Sequence, residues 1–207
     1  GPHSLGLHGD AVAVQGDWAV VGRPGDTSDG AQSGAVDVYR RTATEASLEG
    51  LPWAWSLVST IRPMDPQPGA RFGDALALDG STLVIGGWRH GNNHGAAWVT
   101  ELATDLSSDF RIGTMLAPED LQPGDYFGCD VAIDGDAIAV GGWGGDVLTP
   151  GDTAGKVWMF QLDEGVFEHA QVLVAGGGAV PDDRFGTSLD LHAGTLAVGA
   201  PNRDQSS

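Results

Sequence analysis

One short pattern recurs four times along the chain and constrains its fold more than any other feature. It begins at Phe72-Gly73, Phe127-Gly128 and Phe185-Gly186, and a diverged copy begins at His8-Gly9. The starts at positions 8, 72, 127 and 185 are separated by 64, 55 and 58 residues. A period of this size indicates stacked structural units, none of which can bury its apolar face alone.

Each copy has the pattern of antiparallel strands. In the second copy, residues 75–78 alternate small and large apolar side chains, with the period of two that is typical of a strand. Asp79-Gly80 predicts a tight hairpin turn, and residues 82–85 form the returning strand. Further strands are predicted at residues 96–102 and 110–115. Four antiparallel strands in a unit of this size form the blade of a propeller.

We therefore predict an all-β protein, a β-propeller of four-stranded antiparallel blades with about three and a half blades in the chain. Residues 1–4, Gly-Pro-His-Ser, resemble the scar that remains when a protease removes a purification tag. Residues 5–207 are predicted to form one propeller array whose last repeat is incomplete. The phenylalanine of each Phe-Gly pair is expected to wedge between blades, and its glycine to allow close backbone approach.

The units resemble FG-GAP repeats, the blades of integrin alpha-chain heads and of many bacterial extracellular proteins, in the bacterial variety with a short first hairpin. Residues 185–201 carry nearly the whole signature, and residues 34–39 and 155–160 match its third strand. The resemblance implies a non-catalytic scaffold, outside the cell or on its surface, that recognises a protein or a glycan with one rim. Calcium-binding integrin blades carry an Asp-x-Asp-x-Asp-Gly loop after the first strand, and the corresponding turns here lack it.

The predicted strand count leaves the ring open. Blades of four, four, four and two strands leave bare edges, and such edges are templates for pairing with another chain. We expect a homodimer that completes a ring of seven or eight positions. The alternative is a piece of a longer propeller that has no activity of its own.

The composition excludes two classes of partner. The chain has 28 acidic and 10 basic residues, for a formal net charge of −18, and a surface this acidic repels the phosphates of nucleic acids. Insertion into a membrane is not expected either, because no stretch reaches the ~18 apolar residues of a membrane helix. The single Cys129 is expected to be buried and unreactive.

Candidate binding residues lie in the loops after the second strands, at residues 23–34, 88–95 and 143–155. In-phase blades place these loops on one rim, where binding residues are often found. Trp88 and Trp143 are predicted to occupy equivalent places, with Arg23 as their counterpart in the first copy. Together with Arg89 and His90 they are candidates for contacting a protein or a sugar. The alternative is that the tryptophans pack between blades.

The same loops contain candidate metal ligands. Asp26, Asp29, Asp146 and Asp152 offer carboxylate oxygens to Ca²⁺, although their spacing matches no known calcium loop and solvated acidic turns are the expectation. His90 and His94 supply two imidazoles, too few for a closed zinc site. We expect no cofactor.

Catalytic motifs are not evident in the sequence. It contains no Gly-x-Ser-x-Gly turn, no His-Glu-x-x-His and no phosphate-binding loop. The alternative to a non-catalytic scaffold is a propeller enzyme, a glycosidase or a lyase, that uses carboxylates at the central channel.

Overall fold

The computed structural model describes residues 9–43, 53–103, 109–116, 118–147, 149, 152–176 and 178–203. These residues are almost entirely β-strands and turns, with one four-residue helical segment. The elements in chain order are β1 (Val12–Gln15), β2 (Trp18–Arg23), β3 (Ala35–Ala43), β4 (Trp53–Pro63), β5 (Ala75–Asp79), β6 (Thr82–Gly86), α1 (His90–Asn93), β7 (Ala97–Glu101), β8 (Asp109–Ile112), β9 (Met115–Leu116), β10 (Val131–Asp134), β11 (Ala137–Gly142), β12 (Lys156–Asp163), β13 (Val166–Leu173), β14 (Ser188–His192) and β15 (Thr195–Gly199).

The strands form successive antiparallel blades. Blade 1 has the order β1-β2-β3-β4, blade 2 the order β5-β6-β7-β9, and blade 3 the order β10-β11-β12-β13. Blade 4 consists of the hairpin β14-β15. The prediction of an all-β protein with four-stranded antiparallel blades is therefore confirmed, and the described blades do not close into a ring.

Each blade begins with a two-residue hairpin turn. Pairing of Asp79 with Thr82 leaves Gly80 and Ser81 in the turn, and the other three inner hairpins have the same register. The φ of Gly80 is 59°, which glycine adopts without the steric cost that a Cβ brings. The Asp-Gly signal marks two of these turns, at Asp79-Gly80 and Asp134-Gly135.

The fourth strand of blade 2 differs from the prediction of one strand at residues 110–115. Residues Asp109–Ile112 form β8, which pairs in parallel with β4 of blade 1, and only Met115–Leu116 pairs with β7. Two interactions hold β8 on blade 1. The side chain of Ile112 is buried in the core between blades 1 and 2, and the Arg111 guanidinium donates two hydrogen bonds to Asp29, at 2.6 and 3.1 Å.

The apolar core lies between neighbouring blades, because the two faces of each strand contact different neighbours. On β6, Leu83 and Ile85 face blade 1, whereas Val84 faces blade 3. Three interblade clusters result, and Phe72 and Phe127 are fully buried in the first two. Phe185 is partly buried and packs against the third. Each cluster needs two adjacent blades to form.

Each Phe-Gly pair lies at a junction between two blades. The backbone N–H of Phe127 donates to the carbonyl of His94 in the preceding blade, at 2.9 Å, and the N–H of Phe185 donates to Ala154 at 2.9 Å. A Cβ on Gly141 would collide with the carbonyl oxygen of Gly186 in the next blade, so the backbones meet without side chains between them. Gly22 meets Gly73 and Gly86 meets Gly128 in the same way.

Candidate functional site

The two ends of the blades carry different kinds of segment. We call one end the loop rim; it carries the loops between the second and third strands, together with the residues just before each Phe-Gly pair. The opposite end, the hairpin rim, carries the inner hairpin turns and the ends of β7, β12 and β13. Antiparallel strand order places these two sets of segments at opposite ends of every blade.

A ladder of five side chains crosses the loop rim. Trp88 and Trp143 come from the loops after β6 and β11. The residues that directly precede the three Phe-Gly pairs lie between and beside these tryptophans. These three preceding residues all have a left-handed backbone, with φ of 57°, 56° and 57°. We call the set the rim ladder: Arg71, Trp88, Tyr126, Trp143 and Arg184.

The contacts along the rim ladder are aromatic and cation–π contacts. The Arg71 guanidinium lies 5.9 Å from the Trp88 ring, which meets Tyr126 edge to face at 5.5 Å. Tyr126 stacks on Trp143 at 4.1 Å with 17° between the ring planes. The Arg184 guanidinium lies 5.2 Å from the Trp143 ring. Such contacts hold the rings in fixed orientations while all five side chains remain partly or fully exposed.

Asp74 fixes the first end of the rim ladder. The indole N–H of Trp88 donates to the Asp74 carboxylate, which also accepts two hydrogen bonds from Arg71, at 2.7 and 3.2 Å. Arg71 is within 3.4 Å of Asp10 as well. The tryptophan therefore contacts both the blade it belongs to and Tyr126 at the start of the next.

Arg23 does not occupy the place predicted for it. The strand register makes Gly22 the counterpart of Gly86 and Gly141, because each of these glycines meets the carbonyl of the next Phe-Gly glycine. The counterpart of Trp88 and Trp143 in blade 1 is therefore Pro24, two residues after Gly22. Arg23 ends β2, and its guanidinium pairs with Asp26 at 2.8 Å and with Asp37 at 3.0 Å.

Arg89 and His90 differ in their surroundings. Arg89 is exposed, with its guanidinium 5.4 Å from the Trp88 ring, so it extends the rim ladder into solvent. His90 turns inward, and its ring meets Trp98 edge to face at 5.3 Å. Burial lowers the pKa of His90, with Asp65 opposing the effect. The neighbouring His94 ring instead contacts the carbonyl of Gly91.

The candidate metal ligands are not brought together. Among the residues that the structure describes, no three His, Cys, Asp or Glu side chains cluster as a metal site. Asp26 pairs with Arg23 and accepts the N–H of Ser28, at 3.0 Å, while Asp29 binds Arg111. Asp152 accepts backbone N–H groups, including that of Thr149 at 2.8 Å. These carboxylates fix loops, and the remaining candidate, Asp146, lies in the loop of another blade from Asp26 and Asp29.

Two partly buried groups near the blade junctions have structural partners. Burial raises the pKa of Asp130, and its carboxylate accepts the N–H of Val131, at 3.0 Å, and that of Leu189 in blade 4, at 2.7 Å. Desolvation also raises the pKa of the Cys129 thiol to about 12, and the sulfur lies 3.3 Å from the carbonyl oxygen of Gly186. A raised carboxyl pKa is one mark of a catalytic acid, but here the group ties two blades together.

Sequence reasoning missed three members of the rim ladder, Arg71, Tyr126 and Arg184. The signal that identifies them is positional: each stands directly before a Phe-Gly pair, so the three are equivalent in the repeat. Trp88 and Trp143 also lie on this rim, and they contact the next blade as well as remaining partly exposed.

Comparison with known proteins gives one match. A family model described as FG-GAP repeat matches residues 55–100 and again residues 114–160. Each matched stretch runs from the outer strand of one blade through the third strand of the next, and so includes a Phe-Gly junction. No curated protein matches the chain. In the part of the chain that the structure describes, no helix has the length and hydrophobicity to cross a bilayer.

Proposed function

We propose that this chain, in which residues 55–100 and 114–160 match the FG-GAP repeat, is a non-catalytic binding scaffold that holds a protein partner on its loop rim. FG-GAP propellers are typically non-enzymatic and typical of extracellular proteins. We therefore place the protein outside the cell or at its surface. We do not assign it a cofactor.

The rim ladder is the observation that carries this proposal. Tryptophan, tyrosine and arginine are the residues that most often dominate binding energy at protein interfaces. Here they are concentrated on one rim and held rigid by mutual stacking, so little side-chain entropy is lost when a partner binds. Of the three arginines on this rim, Arg71 pairs with Asp74 and Arg184 with Asp182, whereas the exposed Arg89 has no carboxylate partner among the described residues. A partner with exposed carboxylates and apolar groups fits it best.

A glycan is the second class of ligand, and the geometry favours it less. Sugars stack on the open faces of aromatic rings. In the rim ladder, one face of Tyr126 and one face of Trp143 are turned toward each other at 4.1 Å, and the Arg184 guanidinium lies 5.2 Å from the Trp143 ring, so little open ring face is left for a sugar. Ring edges and guanidinium groups suit the side chains of a protein better than the flat face of a sugar.

The test compares binding by three forms of the protein. The wild type is screened against a displayed library of random peptides and an array of defined glycans, and the peptides it selects are titrated against variants. Arg89→Ala removes an exposed guanidinium whose one described contact is the Trp88 ring, so the blades keep their junctions. Trp53→Ala is the control, because it removes an exposed tryptophan beside Arg41, in blade 1 and outside the loop rim.

We expect acidic peptides with apolar residues to be selected, and Arg89→Ala to weaken them about tenfold while Trp53→Ala leaves them unchanged. Selection of glycans without peptides would replace the protein partner by a carbohydrate. Equal affinity of Arg89→Ala and the wild type would contradict binding at this rim.

We also propose that the ring is completed by self-association, with a homodimer as the product. Within the described residues, β1 and β14 each contact one neighbouring inner strand, whereas β5 and β10 each contact two. On β1, Val12 and Val14 are 67% and 68% exposed. Among the same residues, β15 pairs with β14 alone. An apolar flank and an unpaired edge are the two features that favour docking of a second copy.

A further inference from the structure

A cleft of about 790 Å³ opens on the hairpin rim between blades 2 and 3, away from the rim ladder. Its walls come from the inner hairpin turns of the two blades and from the ends of β7, β12 and β13. The volume lies in the range of roughly 300 to 1,000 Å³ that is typical of ligand sites in proteins. The proposal that follows does not depend on binding at the loop rim.

The floor of the cleft is apolar. Val99 on β7, Leu162 on β12 and Phe167 on β13 line it, and Val166 at its edge is 60% exposed. Exposed large apolar side chains beside a concave surface favour a ligand with an apolar part, because covering them removes that surface from water.

The mouth of the cleft is acidic. Asp79, Glu101 and Asp136 line it, and none of its described lining residues is Lys, Arg or His. Glu101 accepts hydrogen bonds from the hydroxyls of Ser81 and Thr82, each at 2.5 Å, and both of these donors are uncharged.

The other two carboxylates also have no basic partner among the described residues. Asp79 accepts the side-chain amide of Gln15, at 3.0 Å, and the N–H of Gly135, at 2.6 Å. In the part of the chain that the structure describes, the Asp136 carboxylate accepts no hydrogen bond, while its backbone carbonyl accepts the N–H of Leu162 at 2.7 Å. Three negative charges thus surround an apolar floor, and no described arginine or lysine pairs with them.

We propose that this cleft binds a peptide segment in which a lysine or arginine stands beside apolar residues. The ammonium or guanidinium group meets the carboxylates at the mouth, and the apolar neighbours cover Val99, Leu162 and Phe167. The cleft extends over two blades and has room for several residues, so a segment fits it better than a single side chain.

The experiment titrates the folded protein with fluorescein-labelled peptides and follows their anisotropy. The probe peptide alternates lysine and leucine, a second peptide has glutamate in place of lysine, and a third has serine in place of leucine. Spermidine, added as a competitor, supplies ammonium groups without the peptide. Asp136→Asn tests the mouth, and Asp163→Asn is its matched control, because Asp163 is exposed near the same rim but does not line the cleft. Val166→Ser tests the edge of the floor.

We expect the lysine–leucine peptide to bind, the glutamate peptide not to bind, and the serine peptide to bind more weakly. Asp136→Asn should weaken the lysine–leucine peptide about threefold, the size expected for one partly exposed ion pair, while Asp163→Asn has no effect. Val166→Ser should weaken the lysine–leucine peptide and leave the lysine–serine peptide unchanged.

Three results would overturn the proposal. The first is absence of binding by the lysine–leucine peptide. The second is equal weakening by Asp136→Asn and Asp163→Asn, which indicates general attraction of cations to an acidic surface. The third is displacement of the peptide by an equal concentration of spermidine, which assigns the cleft to a free polyamine.

Discussion

At the scale of single residues, small side chains determine how closely the blades approach. Gly22, Gly86 and Gly141 lie at the last or the last but one position of the second strands, and each lies against the backbone of the next blade's Phe-Gly pair. Their backbone conformation is open to any residue, so the requirement for glycine comes from space alone. The repeated glycines at these positions therefore mark where one blade docks on the next.

Gly141→Ala should destabilise the protein by roughly 3 kcal/mol or more, because a Cβ there collides with the backbone carbonyl of Gly186 and the two blades must separate. Gly176→Ala is the control, since a Cβ at Gly176 meets no atom within 4 Å. Urea unfolding of both variants measures the difference. Equal stability of the two would show that the junction adapts to a side chain and that space is not the constraint.

At the level of single residues, the sequence predicted correctly those positions at which the residue type has one structural role. The Phe-Gly pairs and the Asp-Gly turns can be recognised in the sequence, because a left-handed or crowded backbone requires glycine. Arg23 was misaligned, since a register error of one residue leaves no trace in a run such as Gly22-Arg23-Pro24. The rim ladder depends on contacts between residues 17 positions apart within a blade and 38 or 41 positions apart between blades.

At the scale of elements, the four inner hairpins share one register but differ in the residue that begins the turn. Three of the four turns begin with glycine at positive φ, whereas the fourth begins with Ala193, whose φ is 48°. Alanine pays a steric cost in this left-handed conformation. The hairpin β14-β15 should therefore be less stable than its counterparts in the other blades.

Ala193→Gly should stabilise the protein by about 0.5 to 1 kcal/mol, because it removes the strain at the turn of β14-β15. Ala197→Gly, in the middle of exposed β15, should destabilise it by a similar amount through the entropy cost of glycine in a strand. Thermal unfolding of both variants provides the comparison. A loss of stability in both would mean that the turn is not strained.

Aspartates at the ends of the inner strands link the hairpins of neighbouring blades. Asp79 at the end of β5 accepts a hydrogen bond from Gln15 in blade 1 and one from Gly135 in blade 3, and Asp134 accepts the N–H of Gly194 in blade 4 at 3.1 Å. The hydrogen bond from Gly135, followed by that from Gln15, lowers the pKa of Asp79 below its ordinary value of 3.8. The charged form is therefore favoured by folding.

The stabilising effect of Asp79 should be complete above pH 3.8 and should be lost as the pH falls through the lowered pKa of the folded state. Asp79→Asn should accordingly be less stable than the wild type at pH 7, by up to about 1 kcal/mol, and the gap should narrow as the pH falls below 3.8. Comparing the two proteins cancels the opposite contributions of Asp125 and Asp130, whose pKa values burial raises. A gap independent of pH would exclude an ionic origin.

The strand exchange between blades 1 and 2 shows the limit of strand prediction. Residues 110–115 have the apolar pattern of one strand, but pattern alone does not select a neighbour. Burial of Ile112 against blade 1 selects that neighbour together with two ion pairs. Arg62 contacts Asp109 at 2.7 Å, and Arg111 contacts Asp29 at 2.6 Å. Both ion pairs join segments that are far apart in the sequence, so no local sequence pattern predicts them.

At the scale of the whole molecule, the two rims present different side chains. The loop rim presents aromatic rings and arginines, and the hairpin rim presents carboxylates around a cleft. A net charge of −18 taken from the composition hides this division. The repeat predicted the architecture, since in-phase copies must place equivalent loops together, whereas the character of each rim depends on side chains that differ between copies.

The arrangement of the blades also bears on the proposed homodimer, because it leaves two places where a second copy could dock. β1 and the hairpin β14-β15 lie at the two ends of the described array, and each has a flank that no described strand covers. Docking there buries the exposed faces of Val12 and Val14 and supplies partners to the unpaired edge of β15.

The most direct test of this account is the solution mass, measured by light scattering after size exclusion at two protein concentrations. We predict a mass of twice the 21.3 kDa of one chain at both concentrations. Val12→Lys should lower it toward one chain, whereas Met64→Lys, at a residue that is 69% exposed but outside the array ends, should leave it unchanged. A wild-type mass of a single chain at both concentrations would contradict the account, because the scaffold would then function as an open array.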